Sequence, residues 1–187
     1  MSKPDPRSVL YAMTLCTELV QLDAVWTAAL EDEHSRWDSR RLVEVGRRII
    51  DRLEQLSDHS YAVEAVVPYL SDKATEVTVA AVRSNMSDDL SDQIASLGNV
   101  HRLGNFARTA VSQFTDGLAD ELTVLREKVT YLETGRRPSS DMTPQMVCTV
   151  YAMGFTASVA LGLAPSALMC AIGFLTNGCV TYLNPDP

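Results

Sequence analysis

The sequence predicts an all-α fold, a multi-helix bundle of six or seven helices that ends in a hydrophobic helical hairpin. Apolar residues recur at three- and four-residue steps along most of the chain, and no convincing β-alternation interrupts them. With 187 residues, the chain has the size of one ordinary domain and can bury a core without metal or disulfides. We expect an acidic amphipathic helical region over 1–134, a linker over 135–141 and a hydrophobic hairpin region over 142–187, packed together as one domain.

Capping residues mark the first helices. Asp5 precedes a proline that needs no amide donor, and this pair predicts a helix from about 6 to 33. Asp38 can cap a second helix, which carries one apolar stripe. We expect the polar cluster at 57–60 to end that helix.

Two further segments extend to the linker. A third helical stretch covers about 61–84, and Pro68 predicts a break near Val67 because proline cannot donate a backbone hydrogen bond. The longest periodic segment, 88–133, would make a helix of about 65 Å, longer than a domain of this size is wide. We therefore expect a split or kink in the region Gly98–Gly104. If the segment is continuous, its second half resembles a coiled-coil seam and favours self-association.

All charged side chains except Asp186 lie in the first three quarters of the chain. Met142–Pro185 carries no charged side chain, and 27 of its 44 residues are apolar, against 59 of the other 143. Pro165 divides it into arms at 146–163 and 166–183, which predicts a hairpin of two helices. Candidate caps for the two arms are Thr143 or Asp141 and Ser166.

Such an uncharged hairpin needs cover from protein or lipid. It fits a buried core, or a hairpin that is shielded in the soluble form and exposed to a partner or a membrane on activation. We hypothesise a non-catalytic binding or assembly protein whose hairpin is the working part. The residues expected to form the hairpin core are Phe155, Leu161, Pro165, Leu168, Phe174 and Leu175.

Hydroxyl residues and cysteines offer an alternative. Ser166 precedes Cys170, and Thr176 precedes Cys179, at spacings from which a dehydrated residue could accept the thiol and close a thioether ring. An acidic helical leader followed by such a tail resembles the layout of precursors of ribosomally made, modified peptides. A modified-peptide precursor is therefore the second hypothesis.

A small metal-binding enzyme is the third hypothesis. Glu31 and His34 have the Glu-x-x-His spacing that aims two ligands at one metal, and His59 with Glu64 could complete a mixed site. A second Glu-x-x-His motif is missing, however, and no nucleophile elbow or phosphate-binding glycine loop is present. We expect neither catalysis nor a cofactor, and we interpret the motif as a solvated helix end.

The charge and composition of the chain limit the classes of partner that we expect. A formal charge of −8 disfavours nucleic acid, and the arginines at 40–48 are diluted by acids and predict a solvated helix face. No uninterrupted apolar signal segment opens the sequence, so we expect a cytoplasmic location and four buried free thiols. The expected partner is a second copy or another protein, with a membrane only on activation.

Overall fold

A computed structural model of the chain describes residues 5–31, 38–69, 100–136 and 142–182. The all-α prediction is confirmed, because these residues form helices and turns and contain no strand. The described part holds five α-helices rather than six or seven, while predicted helical segments at 70–84 and 88–99 lie outside it. The α-helices are α1 Pro6–Glu31, α2 Ser39–Val66, α3 Val100–Glu133, α4 Pro144–Ala160 and α5 Ala164–Thr176, and 3-10 turns cover Val67–Tyr69 and Cys179–Tyr182.

The first two helices begin where their caps predict. The Asp38 side chain accepts a hydrogen bond from the Arg41 backbone amide at 2.9 Å, and α2 ends just before Pro68. The expected helix end at 57–60 is wrong. Those polar side chains bond back to their own helix: the Ser60 hydroxyl donates to the Ser57 carbonyl, and the His59 ring bonds to the carbonyl one turn earlier.

The third helix, α3, is continuous from Val100 to Glu133 and about 51 Å long. It runs through Gly104 without a break, so the expected split is wrong there, and Gly98 lies outside the described residues. The helix ends at Glu133, and the turn after it contains Gly135, whose φ of 78° is easily adopted by a residue that has no Cβ. Of the predicted linker 135–141, residues 137–141 also lie outside the described part.

The turn between α4 and α5 is displaced from its predicted position. It lies at 161–163, with Gly162 at a φ of 70°, and Pro165 belongs to the first turn of α5. This placement follows from proline chemistry, because the missing amide hydrogen is harmless in the first turn of a helix. The Thr143 hydroxyl caps α4 as predicted, whereas Ser166 caps nothing and Asp141 lies outside the described residues.

The central helix of the bundle is α4. It packs against α1, α2, α3 and α5, while α1 packs on α2 and α2 packs on α3. The main buried cluster accordingly draws on α1, α2, α3 and α4, on both sides of the linker. In contrast, the principal neighbours of α5 are α4 and the 3-10 turn at Cys179–Tyr182. This arrangement places α5 at the side of the bundle.

Candidate functional site

Nearly the whole surface of α4 is buried. Every residue from Met146 to Val159 except Tyr151 is buried. The hydroxyls of Thr156 and Ser158 donate to backbone carbonyls one turn earlier, at 2.8 and 2.7 Å. Buried hydroxyls need such partners, and these are supplied inside the helix itself. An uncharged helix of this kind can therefore form the centre of a protein core.

A buried carboxylate holds the start of α4. Glu121 of α3 is only 4% exposed and accepts hydrogen bonds from the Thr143 amide at 3.1 Å and the Thr143 hydroxyl at 3.0 Å. The same hydroxyl accepts from the Met146 amide at 3.3 Å. A carboxylate at this end interacts favourably with the helix dipole. These contacts fix α4 against α3.

The last helix, α5, has two different faces. Its inner face is buried against α4, and Gly173 lies where the Tyr151 ring leaves no space for a Cβ atom. Its outer side and the preceding turn expose apolar groups, with Met169 at 45% and Leu163 at 37%. Half-buried side chains of this helix are Leu168, Ile172 and Leu175.

The six predicted hairpin-core residues do not form one surface. Phe155 and Phe174 are each 4% exposed and lie in the apolar cluster between α4 and α5. Pro165 is exposed, and the three leucines Leu161, Leu168 and Leu175 are half-buried. The two phenylalanines are therefore buried, the three leucines pack at the edges of the apolar clusters, and the proline is exposed.

Two of the four cysteines are bonded. Cys148 of α4 and Cys179 after α5 form a disulfide whose Cα atoms are 5.5 Å apart. The expectation of four free thiols is therefore wrong for this pair, which lies far apart in sequence and adjacent in the fold. The Cys179 sulfur needed for the hypothetical thioether is already bonded, and the Thr176 hydroxyl donates to the Gly173 carbonyl at 3.2 Å. In the other hypothetical ring, half-buried Ser166 lies one turn from buried Cys170.

The other two cysteines meet at Gly154. Cys16 of α1 and Cys170 of α5 are buried free thiols, and both approach α4 at this glycine. Burial raises the pKa of Cys16 well above its ordinary value, and the facing Cys170 raises it further. Burial also raises the pKa of Cys170, to about 12. Sequence reasoning missed this contact, since nothing in the spacing of residues 16 and 170 indicates it.

A tyrosine lies at the same junction. Burial raises the pKa of the Tyr151 hydroxyl, and the nearby Cys170 and Asp23 raise it further. A hydrogen bond with Asn177 acts in the opposite direction. The region between α1, α4 and α5 therefore keeps its thiols and its phenol protonated at neutral pH.

The predicted metal ligands are not brought together in the described ranges. Glu31 is the last residue of α1, and His34 lies outside the described part. The Nδ1 atom of His59 is 2.9 Å from the Gln55 carbonyl oxygen, so this ring nitrogen is hydrogen-bonded to the backbone of its own helix. Among the described residues, no group of three or more His, Cys, Asp or Glu side chains could hold a metal ion.

Several arginines join helices to one another. Arg52 of α2 donates to Glu18 of α1 at 2.8 Å, and Arg126 of α3 donates to Glu54 of α2 at 2.6 Å. A third pair joins Arg47 to Glu133. The two exposed pairs, Arg126–Glu54 and Arg47–Glu133, add little stability, but all three place acidic partners beside the basic groups.

No family model, curated protein or solved structure matches this chain. One described helix, α1, is long and apolar enough to cross a membrane, and 44% of its most apolar window is buried. The core helix of a water-soluble protein can have the same length and composition.

Proposed function

We propose that this chain is a non-catalytic assembly protein that self-associates through the outer side of α5. The observation that carries the proposal is the exposed apolar surface of α5, which lies within a segment without a charged side chain. The exposed large apolar groups there are Met169 of α5 and Leu163 of the preceding turn. Exposed apolar surface without nearby charge is a candidate interaction site.

The burial of α4 supports α5, rather than the whole hairpin, as the working surface. Releasing both helices as one hairpin would remove α4 from between α1, α2 and α3 and open the core. The side of α5 that faces away from α4 can bind a partner without any such rearrangement. The sequence hypothesis of a working hairpin is therefore narrowed to its second helix.

Charge favours a second copy as the partner. The chain carries a net charge of −8, and all of it except Asp186 comes from the first 141 residues. Two copies that meet through α5 bring together surfaces that have no charge to repel or to desolvate. An anionic membrane attracts proteins through Lys and Arg side chains, and α5 has neither.

Length also favours a protein partner over membrane insertion. The 13 residues of α5 span about 20 Å, whereas the hydrocarbon core of a bilayer is about 30 Å thick. The same length limits the interface, since a stable one buries about 800 Å² on each partner. We therefore expect weak, concentration-dependent association rather than an obligate dimer.

Analytical ultracentrifugation over a range of concentrations tests the proposal. We expect wild-type protein to pass from monomer to dimer, and Met169→Asp to weaken the dimer at least tenfold because the new charge is desolvated at the interface. Leu10→Asp is the matched control: Leu10 lies on α1, is 46% exposed and differs little from Met169 in size. It should leave association unchanged.

Three results would overturn the proposal. Wild-type protein could remain monomeric at every soluble concentration, both variants could weaken association equally, or neither could. Circular dichroism of each variant verifies that it is folded. Flotation with zwitterionic and anionic lipid vesicles distinguishes the membrane alternative, in which wild-type protein floats and Met169→Asp does not.

A further inference from the structure

Two free thiols approach α4 at Gly154, one from α1 and one from α5. If residue 154 had a Cβ atom, that atom would lie 3.0 Å from the Cys170 sulfur and 3.9 Å from the Cys16 sulfur. The absence of a side chain at Gly154 is what lets α1 and α5 approach α4 at the same level. The two sulfurs therefore face one point of α4 with no residue-154 side chain between them.

We propose that Cys16 and Cys170 form a second disulfide bond, which links α1 to α5 beside Gly154 of α4. Both side chains are at most 1% exposed, and Cys170 lies in the same apolar cluster as the Cys148–Cys179 bond. A disulfide is neutral and is compatible with such apolar surroundings. The existing bond already requires an oxidant for this chain, so the second bond needs no new class of reagent.

The chemistry balances with a small disulfide such as oxidised glutathione as the oxidant. The thiolate of one cysteine attacks the oxidant, forms a mixed disulfide and releases one molecule of reduced glutathione. The second cysteine then attacks the protein sulfur of that mixed disulfide and releases the other molecule. In sum, the two protein thiols lose two protons and two electrons, and the oxidant is reduced to two thiols.

The bond forms before the helices close over it. The attacking species is the thiolate, and burial raises the pKa of both thiols in the folded chain. Folded protein therefore presents protonated, inaccessible sulfurs, while the unfolded chain presents reactive ones. We expect the bond to form efficiently during oxidative refolding and slowly when oxidant is added to folded protein.

Refolding of fully reduced protein in a glutathione redox buffer tests the proposal. The product is denatured, treated with an alkylating reagent and studied by intact mass and by peptide mapping without reduction. We expect the loss of four hydrogens, no alkylation, and a cross-linked peptide pair that contains Cys16 and Cys170. Alkylation at both residues, or their linkage to Cys148 or Cys179, would overturn the proposal.

A variant with only one cysteine pair keeps the test independent of the first disulfide. In Cys148→Ser/Cys179→Ser, we expect the Cys16–Cys170 bond to form and to raise Tm by about 5–10 °C over the reduced variant, because it closes a long loop. If this variant folds in the redox buffer and keeps two thiols, the proposal fails. This outcome does not depend on whether α5 mediates self-association.

Gly154→Ala tests the geometry. Its methyl group would press on the Cys16 Cβ at 2.9 Å and the Cys170 sulfur at 3.0 Å. We expect the yield of the second bond to fall several-fold, with the yield of the Cys148–Cys179 bond unchanged. Equal yields of the second bond in wild type and variant would contradict the role of Gly154. If the alanine variant does not fold, the variant Cys148→Ser/Cys179→Ser alone tests whether the Cys16–Cys170 bond forms.

Discussion

The helices α4 and α5 have similar amino-acid compositions but differ in burial. Both are uncharged and rich in small and apolar residues, and only the turn at 161–163 separates them. Yet Met153 of α4 is completely buried, while Met169 of α5 is 45% exposed. Lack of charge therefore does not distinguish a core helix from an interface helix. The number of packed neighbours does, since α4 contacts four helices and α5 packs mainly on α4.

Equal truncation of the two methionines would test this contrast most strongly. We expect Met153→Ala to lower the free energy of unfolding by about 2–5 kcal/mol, because it leaves a cavity in the core. Met169→Ala should change the free energy by about 0.5 kcal/mol or less, as surface substitutions do. Urea titration of both variants at a concentration where the protein is monomeric measures the two values. Comparable losses of unfolding free energy in the two variants would show that α4 and α5 do not differ as a core helix and a surface helix.

Removal of the disulfide tests how α5 is held to α4. Cys148 and Cys179 are 31 residues apart in sequence, and a bond that closes a loop of this size contributes about 3 kcal/mol. We expect Cys148→Ser/Cys179→Ser to lose this amount in urea titration. The amides of α5 should lose more protection from hydrogen exchange than those of α4, because α4 retains its other neighbours. Equal loss of protection in both helices would contradict this dependence.

Raising the pH should have a smaller effect on the free energy of unfolding, through the buried thiols Cys16 of α1 and Cys170 of α5. In protein with both residues as thiols, the folded-state pKa values of Cys16 and Cys170 are raised from 9.0, so this contribution to stability is present below pH 9. It is lost as the pH rises toward the folded values, and we expect a loss of about 1 kcal/mol per thiol at pH 10. Chemical denaturation of Cys16→Ser/Cys170→Ser should show a shallower decline. Identical slopes would contradict burial of these thiols.

Local signals in the sequence predicted much of the fold. The helix expected over 6–33 is α1, the Asp38 cap begins α2, and the helix break expected near Val67 follows from Pro68. Each depends on capping or proline chemistry within a few residues. The predicted end at 57–60 failed because polar side chains can bond along a helix without ending it, while the buried stripe continues through Val63.

Long-range features of the candidate site could not be predicted in the same way. The bond between Cys148 and Cys179 and the meeting of Cys16 with Cys170 depend on which helices become neighbours. The division between buried α4 and half-exposed α5 has the same origin, since both segments are apolar on most sides in the sequence. An even number of cysteines was the one available signal, and it does not determine their pairing.

Hydrogen–deuterium exchange at low and high protein concentration tests the central claim most directly. It measures whether α4 is core and whether α5 is the surface that associates. We expect α4 amides to exchange slowly and at the same rate at both concentrations. The α5 amides should exchange faster in dilute protein and gain protection as the concentration rises, and Met169→Asp should abolish that gain. Exchange in α5 that is independent of concentration, or α4 amides that exchange as fast as those of α5, would contradict the account.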